Sequence, residues 1–296
     1  MAPSRPAYGG QALLEGVMIR GLHVVTMAAR NPKGEIVTRV DPIVSGWSRK
    51  LRKVPFIRGV LVLGEMLVIG TRAMMWSASI ASQDEEEGTE LPPAALWGTL
   101  AISLTLGIGL FFLVPTALAG LLHAFFESSL LVNFLEGLLR MAIFVGYLAL
   151  INMMPEIRRV FMYHGAEHMT IHAYERSLTL APENIRRFSP AHPRCGTAFL
   201  LVVLVISIVL FALVGNPPFI WRILSRLLLL PVIAGLAYEV IRLSGKHEDN
   251  ALVQAVLAPN LWLQKLTTRQ PDDSQIEVAV TAVNAAIEAD AKYEKV

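Results

Sequence analysis

The run AALWGTLAISLTLGIGLFFLVPTALAGLL, residues 94–122, holds no charged side chain across 29 positions. About 20 apolar residues in a helix suffice to cross roughly 30 Å of hydrocarbon, so this run predicts a membrane span. Residues 196–221 form a second charge-free run. Residues 128–154 are as apolar but not charge-free, enclosing Glu136 and Arg140 at i and i+4, a spacing that lets them pair on one helix face of a third span. The fourth, 223–243, has Arg226 near one end and Glu239 and Arg242 near the other, where long side chains reach the interface. Composition agrees: 54% of the 296 residues are hydrophobic and 17% are charged, with a mean hydropathy of +0.51. Soluble domains carry about 25% charged residues.

Residues 54–82 are harder to place. Arg58, Glu65 and Arg72, seven apart, draw one narrow charged stripe on an otherwise apolar helix. Charge asymmetry decides the reading. Ten Lys and Arg precede residue 59, six arginines lie in 155–195, and the loops 83–93 and 124–127 hold none. Four spans keep all the basic segments on the cytoplasmic side, whereas a fifth span would export the loop carrying Arg158, Arg159, Arg176, Arg186, Arg187 and Arg194. Residues 54–82 are therefore expected to form an interfacial or re-entrant helix.

The remaining segments read as a small cytoplasmic portion. HVVTMAAR, NPKG and EIVTRVDPIV (residues 23–44) give β-branched runs around a turn, a β-hairpin. QDEEEGTE, residues 83–90, reads as a solvated linker. After Pro271, an Asp272-x-x-Gln275 start precedes Ile276, Val280, Val283 and Ile287 at helical spacing. The expected architecture is a predominantly α-helical polytopic membrane protein with four transmembrane helices and a small cytoplasmic α+β portion. Its segments are 1–53 (β-containing), 54–82 (interfacial), 83–93 (linker), 94–154 (two spans), 155–195 (cytoplasmic helix and loop), 196–244 (two spans) and 245–296 (tail with an amphipathic helix). MAPSRPAYGGQ lacks the apolar core of a secretory signal, so both termini are expected in the cytoplasm. The single cysteine, Cys195, excludes an intrachain disulfide and suits that reducing face. A net charge of +2 gives no reason to expect a nucleic-acid partner. The partner expected is the bilayer.

The chemistry concentrates in YHGAEHMTIHAYE, residues 163–175. From Glu156 to about Ser177, Ile157, Val160, Phe161, His164, His168, Ile171, His172 and Glu175 follow helical spacing, so three of the seven histidines share the apolar stripe. Imidazoles at i and i+4 can converge on one metal ion. His164 and His172 are about 12 Å apart along a straight helix, too far for one ion to take all three. One ion should take His164 with His168, or His168 with His172, and complete its shell from His192 and Cys195 in the HPRC loop. Nitrogen and thiolate donors suit zinc or another divalent transition metal. Glu167 would be the proton acceptor, as in the HxxEH arrangement of inverted zinc metalloproteases, and Glu175 a supporting partner. The competing reading is a buried polar network of the same residues in a scaffold. In GGQALLEGVMIRG, residues 9–21, the glycines read as tight turns where backbones approach, with Glu15 and Arg20 within reach of a site. Glu136 and Arg140 are expected to pair, joined by Glu65 or Arg72. His247, Glu248 and Asp249 read as a solvated helix end.

GGQALLEGVMIRG, YHGAEHMTIHAYE, HPRCGTAFL and LWLQKLTTRQPDDSQIEVAV, in this order over nearly the whole chain, resemble the YqhQ-like family of bacterial membrane proteins. The resemblance implies a bacterial inner-membrane protein and a metal-dependent enzyme whose reaction is not defined. Met169 stands where that family commonly has lysine and Gln270 where it commonly has glutamate; neither is a candidate ligand. Together these readings suggest a zinc-dependent hydrolase acting on a lipid or a membrane-associated peptide, with a non-catalytic scaffold as the alternative.

Overall fold

A computed structural model describes residues 6–43, 51–82, 93–122, 125–192, 195–215, 217–246 and 250–293. The acidic stretch 83–90 and His247, Glu248 and Asp249 lie outside the described residues. Four strands, β1 (Gly9–Leu13), β2 (Gly16–Arg20), β3 (Val24–Arg30) and β4 (Ile36–Pro42), form one antiparallel sheet in sequential order. The expected hairpin is β3–β4, with Arg30 opposite Ile36. The glycine-rich stretch before it is a second hairpin rather than a set of isolated turns. Leu13 pairs with Gly16 across the two-residue turn Leu14–Glu15. Two residues suffice to reverse the chain there, and Glu15 takes the positive φ of 51° that a glycine would normally supply.

Alternation of side chains gives this sheet two buried faces. Val17, Ile19 and Ala28 meet α5 (Pro155–Glu175) and α10 (Asp273–Tyr293) through Ala166, Ile171, Ala279, Ala282 and Val283. Leu13, Met18, Val25 and Met27 on the opposite face meet Met66, Ile69, Ala73 and Trp76 of α1 (Ile57–Ala81). The start of α10 is a reciprocal capping box. Gln275 N–H donates to Asp272 Oδ1 (3.1 Å) and Asp272 N–H to Gln275 Oε1 (2.9 Å).

Among the described residues, four helices are long and apolar enough to cross a membrane: Ile57–Ala81, Trp97–Leu122, Ser129–Ile151 and Ile220–Ser244. The first of them is α1, and the apolar stretch Phe199–Val214 of α7 (Gly196–Val214) is shorter. Trp97–Leu122 runs through α2 (Pro93–Ile108), a π-helical turn (Gly109–Leu113) and α3 (Val114–Leu122). It packs beside α4 (Ser129–Ile151), which packs on α7, and α7 on α8 (Phe219–Lys246). The first half of α1 lies on α8, where Arg58 pairs with Glu239. The short helix α6 (Pro182–Ile185) follows α5, and α9 (Ala251–Thr267) packs on α7 and α4.

Glu136 pairs with Arg140 as expected (2.8 Å), but its third partner is Arg226 of α8, not Glu65 or Arg72. Glu65 pairs with Arg20, and Arg72 is exposed. Arg226 does not reach for the interface. It is 3% exposed, beside Glu136 at 2% and Arg140 at 5%. The reason lies in the bundle: Thr116 donates to Glu136 and accepts from Arg226 (3.0 Å), and Phe211 lies under both guanidiniums. Pro115 has no N–H for the carbonyl of Phe111 four residues earlier, and Arg140 Nε donates to that carbonyl instead (3.1 Å).

Glu136 faces two buried guanidiniums, so removing it leaves both uncompensated. Glu136→Ala is expected to lower stability by about 3–5 kcal/mol, and Thr116→Val by about 1 kcal/mol. Denaturant unfolding in detergent micelles checks this, and equal losses from the two variants would contradict it.

Candidate metal centre

Pro155 at the first turn starts α5, which carries the histidine stripe between two partners. One is the end of α9, and the other is the loop before α7. Gly165 permits the first contact, because any side chain there would overlap the carbonyl oxygen of Arg269. Each histidine meets a backbone carbonyl. His164 Nδ1 bonds Thr267 O (2.8 Å), His168 Nδ1 bonds Pro190 O (2.6 Å) and His172 Nε2 bonds Ala191 O (3.0 Å). A carbonyl only accepts, so each of these nitrogens carries its proton and the other ring nitrogen keeps its lone pair.

For His164 and His168 that free nitrogen is Nε2, and both point into one small cavity of about 40 Å³ with Cys195. His164 Nε2 is 3.3 Å from Cys195 Sγ, and ligand atoms of His164, His168 and Cys195 all lie within 4.8 Å of one another. An ion at ordinary zinc bond lengths in tetrahedral geometry separates sulfur from nitrogen by about 3.6 Å, close to that spacing. Cys195 caps the start of α7 and accepts from Thr197 N–H (3.4 Å). The donor set therefore fits a divalent transition metal.

Glu167 borders the same cavity, 4% exposed, with Oε2 3.5 Å from His168 Nε2. Burial pushes its carboxyl above the usual carboxylate range, opposed by the nearby histidines and by the Gly10 N–H that donates to it. A side chain on Gly10 would sit 2.5 Å from the Met18 carbonyl oxygen and 2.8 Å from Glu167 Cγ, so strand β1 can lie this close to both only with glycine there. The carboxyl is thus held against the free faces of both histidines, placed to take a proton from a water in the cavity. Tyr8, at the rim, stacks on Tyr174 at 5.0 Å and donates to Asp290, fixing the chain that leads into β1.

The other two expected ligands are not brought into this group. His192 lines the cavity, but its Nε2 bonds Glu175 (3.4 Å) and its ring lies tilted nearer to His172 (4.4 Å) than to His168 (5.6 Å). His172, Glu175 and His192 form a second cluster. Both ring nitrogens of His172 are engaged there, since Nδ1 receives Arg176 at 3.2 Å, and a cation would have to displace that guanidinium. Burial lowers the His172 pKa to about 4 and pulls that of His168 below its ordinary range. Glu15 and Arg20 take no part: Glu15 pairs with Arg159 and accepts from Tyr163 (3.2 Å). What sequence reasoning missed is α9. Gln264, fully buried, accepts from His192 N–H (2.8 Å) and donates to His192 O (3.0 Å), and Thr267 orients His164. The only signal was LWLQKLTTRQ, whose apolar residues are too few to mark a helix with a purpose.

The match that spans most of this architecture is to Protein of unknown function (DUF1385), over residues 54–289. The chain belongs to this family. Within similar proteins, Uncharacterized protein YqhQ from Bacillus subtilis (strain 168) is 33% identical over 302 residues, covering 98% of this chain and 95% of its own. No solved structure matches the chain. The DUF1385 match takes in α5, Cys195 and α9, whereas β1 with Gly10 lies before it.

Gly10→Ala is expected to lower the thermal midpoint, at a cost of about 1–3 kcal/mol, whereas Gly9→Ala, with nothing within 4 Å, should leave it unchanged. Equal midpoints would refute the close approach of Gly10 to Met18 O and Glu167. His172 is neutral in the fold and protonates below 6.5 in the unfolded chain, so its contribution is present above that pH and is lost as pH falls toward 4. Unfolding midpoints of wild type and His172→Gln between pH 7 and 4 should converge at the acid end.

Proposed function

We propose that this DUF1385 protein is a metal-dependent hydrolase at the cytoplasmic face of the bacterial inner membrane, with Glu167 as proton acceptor. The observation that carries it is the convergence of His164 Nε2, His168 and Cys195 Sγ on a cavity that Glu167 also borders. Three donors from the chain leave a position open, the arrangement of catalytic rather than structural zinc sites. His164, His168 and Cys195 hold the ion, and His192 and Glu175 support the wall. When bound, such an ion supplies Lewis acidity and lowers the pKa of water to about 7. Burial holds the Glu167 carboxyl above the usual carboxylate range, which makes it a better proton acceptor for such a water.

The packing supports the membrane reading. The helical hairpin of Trp97–Leu122 and α4, with α7 and α8, forms the spanning bundle around Glu136. Helix α1 lies at the interface, because its second half is clamped to a sheet whose other face is covered by α5 and α10. On this reading the sheet, α5 and both described ends of the chain lie on the cytoplasmic side, which the concentration of arginines supports. Cys195, at the start of α7, then sits where the bundle meets that domain, within reach of a substrate held at the membrane. The scaffold reading keeps one supporting observation, the direct 3.3 Å contact of His164 with Cys195, which a metal-free polar network also provides.

Elemental mass spectrometry of protein purified in detergent without chelators decides between them. About one zinc per chain is expected, lost in His168→Ala and Cys195→Ala, and kept in Glu167→Gln and His172→Ala. No metal in wild type, even after adding zinc, would overturn the enzyme reading.

A further inference from the structure

The sheet order leaves β1 as an edge, and that edge runs along the cavity. In the two-residue hairpin the pair Leu13 and Gly16 exchanges backbone bonds, so by alternation Gln11 and Gly9 also turn their polar groups toward β2. Gly10 and Ala12 therefore direct theirs outward. The Gly10 N–H confirms the direction, since it reaches Glu167 rather than β2. The carbonyl of Gly10 and both backbone groups of Ala12 face away from the ladder, and Gly9 and Gly10 are exposed.

We infer that the site takes a polypeptide segment, bound in extended form as an added strand along β1, as its substrate. This rests on the metal-dependent hydrolase reading and names the substrate class for it. An edge offers donors and acceptors in strand spacing, which a peptide backbone matches and an acyl chain does not. The same strand is fastened to Glu167 through Gly10, so a chain paired with β1 passes beside the carboxyl and the three donors. Hydrolysis there is balanced: the water oxygen bonds the carbonyl carbon, the C–N bond breaks, and Glu167 carries the proton from water to the leaving nitrogen.

The probe is β-casein, an unfolded polypeptide, added to the full-length zinc-supplemented protein in detergent micelles. Amide exchange of residues 9–13, followed by mass spectrometry, is expected to slow when β-casein is in excess. Ala12→Pro removes an outward N–H without breaking a bond to β2, and should weaken β-casein binding by about tenfold, the worth of roughly one backbone hydrogen bond, with zinc content kept. Glu167→Gln separates binding from cleavage, retaining the slowed exchange without cutting. Unchanged exchange of 9–13 in wild type overturns the proposal whether or not Ala12→Pro folds, as does equal binding by a folded Ala12→Pro. Slowing caused by phosphatidylglycerol vesicles but not by β-casein overturns it in favour of a lipid. Zinc content, measured separately, tells a failure of the metal reading from a failure of the strand.

Discussion

The carbonyls of Thr267 and Pro190 are the constraint from which the site follows. By accepting Nδ1–H from His164 and His168 they fix each tautomer and turn both Nε2 lone pairs toward Cys195. Both carbonyls belong to segments far from α5 in sequence. The orientation is therefore set by how α9 and the 190–192 loop dock, and Gln264 secures that docking by bonding both backbone groups of His192. His168 is buried and His164 and His172 are half-buried without loss of hydrogen bonds, which is what allows three histidines to occupy an apolar stripe.

Two buried charged systems divide the molecule. In the bundle, Glu136 is shared by two arginines from two helices, and a charge of that kind in an apolar setting needs each partner in place. In the sheet domain, Glu167 has the Gly10 N–H as a backbone donor and imidazoles rather than guanidiniums around it. The difference is between a carboxylate that fastens helices and one that borders a cavity. Helix α1 joins the two regions, pairing with α8 through Arg58 and covering the sheet with Ala73 and its neighbours.

Much of this was legible in the chain. The long apolar runs, the capping box at Asp272, the β3–β4 hairpin and the i, i+4 pair Glu136–Arg140 all rest on local spacing, and local spacing survives folding. The first hairpin was not legible, because its turn is Leu14–Glu15 rather than a glycine or asparagine pair and its glycines sit inside the strand. Arg226 looked like an interfacial residue because hydropathy counts a charge without seeing the glutamate opposite.

Sequence by itself determined that three histidines share one face of one helix with Glu167 beside them, and that a cysteine and a fourth histidine lie just ahead of an apolar helix. Only the tertiary structure decided which of them meet. His164 and His168 face Cys195, and His172 and His192 face Glu175, because a histidine has two nitrogens and the carbonyl that takes one of them chooses the direction of the other. Periodicity fixes the face of a helix, whereas the tautomer of each ring is set by a chain segment up to about a hundred residues away, and no local pattern encodes that contact.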